Sequence, residues 1–393
     1  MLRVDEKCTG CRCCEQVCRY GAIKISKDKE GFLFPSIDAD RCVGCGICEK
    51  KCPNNVFDIF NPEVSTGFSV VAKDINILTS SSSGGMFSII ARYVLSKNGI
   101  VFGAAFQDDF SLKHIYIDNE KDLKKLSGSK YFQSDIGNSY TVVKELLKKN
   151  VLVYYSGTPC QIAGLKSFLN REYDNLITSD LICHGVPSPL FFEKYKEYIE
   201  KKNNASLINF SFRKMNGWGV VEQYALRKGK KVIKKSYADY CSEYLHSFLM
   251  GGLFRKSCYS CLYSNMNRCG DITIGDFWGI QKFSKIDCRK GVSAVLLNNE
   301  KAKKIFEEIK ENIIYEEHPI SHIVENNPNL VKPSSYIKQR DVIYEYICKE
   351  GIPKAMKEFF GIKNFYLKVI KYKIVLLLEK VGIKDFIKRC IKK

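Results

Sequence analysis

Hydrophobic and polar positions change period several times along this chain. Ile23 and Ile25 alternate with lysine and serine, Lys27 to Gly31 interrupt, and GFLFPSI resumes, which predicts a β-hairpin. The segment VFDIF at 56 to 60 echoes the AIKI that follows Gly21. Phe68 to Ala72 predicts a strand. Residues 80 to 99, SSSSGGMFSIIARYVLSKNG, then pass from serine and glycine into a helical period of about four turns, stopped at Asn98–Gly99. GIVFGAAF reads as a buried strand and LSGSKYFQSDIG, 126 to 137, as a polar loop. VLVYYSGTPCQIAGLKSFL, 151 to 169, is strand, turn and helix, with Thr158 at the N-cap and Pro159 at the first helical position. A further buried strand ends at Cys183 and His184, and a helix is expected over 191 to 202. Residues 207 to 237 read as an antiparallel piece with a basic turn at Arg227 to Lys231. DITIGDFWG, 271 to 279, is a strand, and 292 to 315 reads strand, helix, strand. Strands alternating with helices predict an α/β core with an antiparallel portion.

Cysteine spacing changes the picture at the N-terminus. Cys8, Cys11, Cys14 and Cys18 form one run; Cys42, Cys45, Cys48 and Cys52 form another, each cysteine having a counterpart 34 residues on. Both runs read C-x2-C-x2-C-x3-C. A cubic iron–sulfur cluster needs one thiolate at each of four iron corners. A loop with three cysteines two residues apart wraps three corners, and in two-cluster proteins the fourth cysteine of each run ligates the other cluster. The pattern therefore assigns Cys8, Cys11, Cys14 and Cys52 to one [4Fe–4S] cluster and Cys42, Cys45, Cys48 and Cys18 to the second, with Cys13 left as a non-ligand. Zinc sites use paired C-x2-C knuckles rather than duplicated runs of four. This stretch resembles bacterial two-cluster ferredoxins. It departs from them at Arg19, where proline is usual, and proline is not a ligand. The ferredoxin module is expected to span residues 1 to 62.

Composition and charge narrow the rest. At 393 residues the chain has room for two or three domains, and its 45% hydrophobic content is that of a globular protein. The formal net charge is +19. Two clusters at about −2 each bring this to about +15, because ligating thiols are deprotonated. Positive charge alone is not a nucleic-acid signature, and no nucleic-acid-binding motif is present. A basic surface also suits acidic redox proteins. The chain begins MLRVDEKCTGC, with no signal-peptide pattern before the first motif, and its cysteines stand at cluster spacing; both point to a reducing, cytoplasmic setting. No apolar run approaches the ~20 residues of a membrane span. Residues 350 to 393 form a basic, apolar tail whose amphipathic spacing fits either a docked helix or peripheral contact with an anionic membrane.

Five motifs follow one another in order: SSSGG at 81 to 85, SGSKYFQSD at 127 to 135, SGTPCQIAGLKSFL at 156 to 169, DLICHGVPSP at 180 to 189 and DITIGDFWG at 271 to 279. Together they resemble the beta subunits of coenzyme F-420-reducing hydrogenase and formate dehydrogenase, over roughly residues 65 to 330. With a ferredoxin module in front, the chain is similar to the stand-alone bacterial members of that family. The resemblance implies a domain over 63 to 349 that binds FAD, carries its own iron–sulfur cluster and passes electrons to a small-molecule hydride acceptor such as a deazaflavin. It implies a redox partner such as a ferredoxin, and it identifies no catalytic residue. The alternative is a non-catalytic electron-transfer subunit serving a partner enzyme.

Candidate sites follow from the residues together with that resemblance. A Ser/Gly loop opening a helix offers free backbone N–H groups and a positive dipole end, so Ser82, Ser83, Gly84 and Gly85 are candidates for the FAD diphosphate. A serine-capped helix start without ligand fits the same residues. Ser129, Lys130, Gly157 and Thr158 are further flavin candidates. Cys160, Cys183, Cys258 and Cys261 each lie in or beside a motif of the resemblance and are the expected ligands of a third [4Fe–4S] cluster. Cys160 lies at a helix start, where the dipole favours thiolate. Cys269 competes as a ligand, and buried structural thiols or a lone reactive Cys160 fit the same cysteines.

Overall fold

A computed structural model describes residues 4–56, 58–61, 66–213, 217–361 and 374. Its centre is an eight-stranded mixed sheet. The strands are β3 (Thr66–Ala72), β4 (Ile100–Phe106), β5 (Leu112–Ile117), β6 (Val153–Gly157), β7 (Leu176–Leu181), β11 (Ile272–Asp276), β12 (Ser293–Leu297) and β13 (Ile313–His318), and they lie in the order β13-β3-β12-β11-β7-β6-β4-β5. The middle is parallel: β4 with β6, β6 with β7 and β7 with β11. The pairs toward both edges are antiparallel. The expected α/β core with an antiparallel portion is thus present.

Period-two burial decides what covers each face. Val70 and Tyr154 point into a core closed by the helices Met86–Ser96 and Glu300–Ile309. Val153 and Tyr155 point the other way, into a core closed by the helices Ser139–Lys148 and Pro159–Leu169. The second core also holds Cys11, Cys13 and Ile59, so the N-terminal segment packs directly onto that face. That segment is a hairpin, β1 (Ile23–Lys27) with β2 (Leu33–Ile37), flanked by the two cysteine loops and the short helices Cys13–Val17 and Ile47–Lys50. The antiparallel piece is a separate three-stranded sheet, β8 (Ser206–Arg213), β9 (Val220–Lys228) and β10 (Lys231–Ala238), with a third core of its own that takes in Phe32 from the hairpin.

The serines and glycines of 80 to 85 lead into the helix Met86–Ser96 as read, but the hydroxyls of Ser80 and Ser81 donate back to the carbonyls of Asn76 and Ile77 and close a separate helix, Ile75–Ser80. The segment 56 to 60 that echoes AIKI follows a 3-10 turn, Pro53–Asn55, and its described residues form no strand. The helix Ile352–Phe359, expected in the basic tail, buries Ile352, Ala355 and Met356 in the third core. Apart from Ile374, the tail beyond residue 361 lies outside the described residues.

Candidate iron–sulfur and flavin sites

The carboxyl edge of the parallel strands is where open α/β sheets place their sites. β6 ends at Gly157, opposite Asp180 of β7, and Leu181 of β7 pairs with Ile274 of β11. The segments that follow these strands carry Thr158 to Cys160, Cys183 with His184, and Phe277 with Trp278, the last just after Asp276 at the end of β11. Thr158 and Gln161 form a reciprocal capping box, and Pro159 takes the first helical position. Cys160 is therefore held in the first helical turn, 3.2 Å from the Thr158 hydroxyl.

Cys160, Cys183, Cys258 and Cys261 line one hollow, together with Thr9, His184, Arg255, Tyr263 and Arg268. Burial, opposed by the Thr158 hydroxyl and helped by Cys261, raises Cys160 to about 11, and burial with Cys160 and Cys261 raises Cys183 to about 12. Burial and the same neighbours push Cys258 well above the usual thiol range. Three of the four gathered thiols, Cys160, Cys183 and Cys258, are therefore costly to ionise alone, and metal ligation releases those protons. Cys269 does not line the hollow. It is fully buried, and its backbone N–H donates to Asp180.

Two buried arginines, not singled out by sequence reasoning, hold this loop cluster. Arg268 donates to Asp180 (2.9 Å) and to the carbonyls of Tyr263, Asn265 and Leu181. Asp180 also accepts from the N–H groups of Cys269 and Gly270 and from Thr273. This network ties the loop bearing Cys258 and Cys261 to the end of β7. Arg255 forms the wall toward the N-terminal segment: it donates to the Cys8 carbonyl (2.6 Å), the Leu33 carbonyl (2.9 Å) and the Gln133 amide oxygen (3.1 Å).

In the N-terminal segment, Cys18 lines one hollow with Cys42, Cys45 and Cys48. This is the fourth-cysteine exchange that the crossed arrangement requires. Cys52 lies with the first run instead. Burial raises its thiol, and Cys8 adds more to that rise than Cys48 does. Burial likewise raises Cys14 to about 12, reinforced by Cys8 and Cys52. Cys13 points away and donates to the Lys51 carbonyl (3.1 Å). Cys45 is exposed whereas Cys11 is buried against the main domain, so the two runs differ in their access to solvent. Among the described residues no three His, Cys, Asp or Glu side chains are spaced to grip a single metal ion; a four-iron cube instead offers four separate corners.

Of the flavin candidates, the structure brings the 81–85 and 127–130 loops together, whereas Thr158 lines the cysteine hollow and Gly157 lies against Gln161 and His114. Ser82 Oγ accepts from the Ser129 N–H (2.8 Å), joining the 81–85 and 127–130 loops. Gly84 lies so close to the sheet that a Cβ there would stand 1.9 Å from the Val70 carbonyl oxygen and 2.5 Å from the Ser293 nitrogen. Packing alone thus demands this glycine. Ser83 donates to Val292, and the Lys130 ammonium meets the carbonyls of Lys125, Leu126 and Ser127, so neither group is idle. The helix Met86–Ser96 starts at Gly85 (φ 91°) with no side-chain cap, although Met86 and Ser88 are buried. A buried, uncapped helix start has N–H groups still to satisfy. Beside it, Arg213 forms a two-pronged pair with Asp276 and donates to the Ser82 carbonyl, while Trp218 and Trp278 stack in parallel at 5.0 Å.

Residues 151–323 match the family described as the C terminus of the coenzyme F420 hydrogenase/dehydrogenase beta subunit, and residues 7–56 match the 4Fe-4S dicluster domain. The resemblance read from the five motifs and the duplicated cysteine runs is thereby borne out, and the dicluster match supports iron–sulfur clusters in the N-terminal segment. Among solved structures, the chain is similar to one from a xenon-derivatised F420-reducing [NiFe] hydrogenase complex of Methanosarcina barkeri. The two share 18% identity over 77% of this chain and 94% of that chain, with a TM-score of 0.43. No curated protein matches the chain. Among the described residues no helix is long and apolar enough to cross a membrane.

Proposed function

From a chain that carries a 4Fe-4S dicluster domain and the C-terminal domain of coenzyme F420 hydrogenase/dehydrogenase beta subunits, we propose an iron–sulfur flavoprotein oxidoreductase. It moves electrons between a redox-protein partner and a small organic hydride acceptor. The observation that carries this reading is the convergence of Cys160, Cys183, Cys258 and Cys261 on one hollow whose wall also includes Thr9 of the first cysteine loop.

In this reading Cys18, Cys42, Cys45 and Cys48 hold the outermost cluster. Cys8, Cys11, Cys14 and Cys52 hold the next, and the Cys160 set holds a third at the sheet edge. Flavin supplies what clusters lack: it takes electrons singly and gives them up as a pair with a proton, as a hydride. The uncapped start of the helix Met86–Ser96 is the element suited to the FAD diphosphate. The Ser82 and Ser129 loops flank it, Lys130 braces the 125–130 turn, and Gly157 with Thr158 sets the neighbouring β6 turn. Arg213 and the paired indoles of Trp218 and Trp278 orient planar rings beside that site.

The outermost cysteine loop suits an acidic redox donor. Val43 and Ile47 are exposed, Arg19 lines the same hollow as they do, and Lys24 and Arg41 stand nearby in the segment, each paired with Asp38. Anaerobic reconstitution of the full chain should give about twelve irons, by the four-cysteine rule applied three times, and one extractable flavin. Cys160→Ser and Cys258→Ser should each lower the iron to about eight. A folded chain that binds about eight irons before and after those changes, or that takes up no flavin, refutes the reading. Turnover of a reduced donor with a small-molecule acceptor, in the absence of any other protein subunit, would distinguish an enzyme from an electron-transfer subunit.

A further inference from the structure

Four arginines of this chain are almost wholly buried: Arg213, Arg255, Arg268 and Arg340. A buried guanidinium cannot shed its proton, and leaving it without a counter-charge is costly. Three of the four face a carboxylate. Arg213 pairs with Asp276, Arg268 with Asp180, and Arg340 with Glu30. Arg255 is 1% exposed and forms no ion pair among the described residues. Its donors go to neutral groups only, the carbonyls of Cys8 and Leu33 and the amide of Gln133. Phe34 lies 4.0 Å from the guanidinium carbon and Phe32 5.4 Å, so an aromatic wall closes one side. The open side is the hollow lined by Cys160, Cys183, Cys258 and Cys261.

We infer that Arg255 is the shared counter-charge of two cysteine-ligated groups, the one held by the first run and the one held by the Cys160 set, and that it sets the potential of the latter. This rests on the third cluster proposed above. Thiolate-bound clusters are anionic, and one-electron reduction adds a further negative charge. A fixed positive charge in a site of low dielectric therefore favours the reduced form and raises the reduction potential. No bond is made or broken, and Arg255 moves no proton. Arg255 lines the Cys160 hollow itself and touches the first run through the Cys8 carbonyl, through Gln133, whose amide N–H donates to the Thr9 carbonyl, and at Gly10, where a Cβ would stand 3.0 Å from its Nη1. Arg255 is a positioning and tuning residue, not a catalytic one.

The experiment is a redox titration followed by electron paramagnetic resonance on the full, anaerobically reconstituted chain, with the inner signal identified as the one lost in Cys160→Ser. Arg255→Gln keeps polar donors and removes the charge. It should keep its iron and lower the reduced-to-oxidised ratio of the inner signal at least tenfold at fixed potential, about 59 mV for one electron. Arg255→Lys keeps the charge and should stay near wild type. Gln133→Glu sets a carboxylate against the intact guanidinium and should shift the inner signal in the same direction as Arg255→Gln. An iron-replete Arg255→Gln or Gln133→Glu chain with an unmoved inner potential overturns the inference, and so does an equal shift in Arg255→Lys and Arg255→Gln. If Cys160→Ser loses no iron, the third cluster fails first, and that failure is visible before any potential is read.

Discussion

Replacing Arg268 by methionine tests how the inner cysteine site is held. Arg268 and Asp180 are 1% and 0% exposed, so their pairing is not screened as a surface ion pair would be. A surface pair contributes about 0–1 kcal/mol. Removing one partner of a buried pair costs about 3–5 kcal/mol, because the other charge is left uncompensated. Methionine would fill much of the volume, so the loss is electrostatic and hydrogen-bonding rather than a cavity. Asp180 would keep three donors, from Cys269, Gly270 and Thr273, which places the expected cost near the lower figure, about 3 kcal/mol. With a urea dependence of about 3 kcal/mol per molar, the unfolding midpoint should fall by about 1 M. The carbonyls of Tyr263 and Asn265 would lose their tie at the same time, so the loop bearing Cys258 and Cys261 should loosen. Urea unfolding by circular dichroism gives the first quantity, and iron retention during gel filtration the second. A midpoint within about 0.2 M of wild type, with full iron retention, would refute both the assigned cost and the role of Arg268 in holding the loop.

Three further outcomes can be checked directly. Cys52→Ser should abolish the signal of the cluster held by Cys8, Cys11 and Cys14 and spare the one held by Cys42, Cys45 and Cys48; loss of the second signal instead would reverse the crossed assignment. Gly84→Ala forces a methyl group against the backbone of Val70 and Ser293 and should cost about 3 kcal/mol or more in flavin-free protein, whereas Gly103→Ala, whose nearest neighbours stand at 3.6 Å, should be neutral or slightly stabilising; equal melting temperatures would show that packing does not require Gly84. Burial raises Glu222 to about 8 from 4.5, so its folded state holds a proton that the unfolded state has already lost across that window. The stability it confers is complete below about pH 4.5 and is lost as pH rises toward 8, so Glu222→Gln should gain on wild type across this range, and a constant difference between pH 5 and 8 would contradict it.

Much of the cluster chemistry is written locally, and for that reason it was legible. Cysteines two and three residues apart, a Thr-Pro helix start and alternating apolar positions are relations between near neighbours, and the backbone converts them into loops, caps and strands with little help from the rest of the fold. The helix Pro159–Leu169 with Thr158 at its N-cap and the β1–β2 hairpin formed where the residues indicated, and the structure added Gln161 as the other half of a capping box. The order of motifs along the chain was likewise enough to indicate the family domain that residues 151–323 match.

What the tertiary structure decided are relations across the chain. Arg268 meets Asp180 across 88 positions, Arg255 meets the Leu33 carbonyl across 222, and Arg340 meets Glu30 across 310. Charge alone would place these arginines on the surface, since an ion is buried only when a partner arrives from elsewhere in the chain. Gly84 read as a site for phosphate approach because sequence shows the missing side chain but not the strand carbonyl that occupies its space. The helix Ile352–Phe359 read as tail because its apolar stripe does not reveal what covers it; the helices and strands of the third core do. Spacing along the chain was sufficient to name the thiols of the two runs. Only the crossing of β6, β7 and the 258–270 loop at one sheet edge brought the other four together, because convergence of distant segments is a property of the packed chain and not of any window along it.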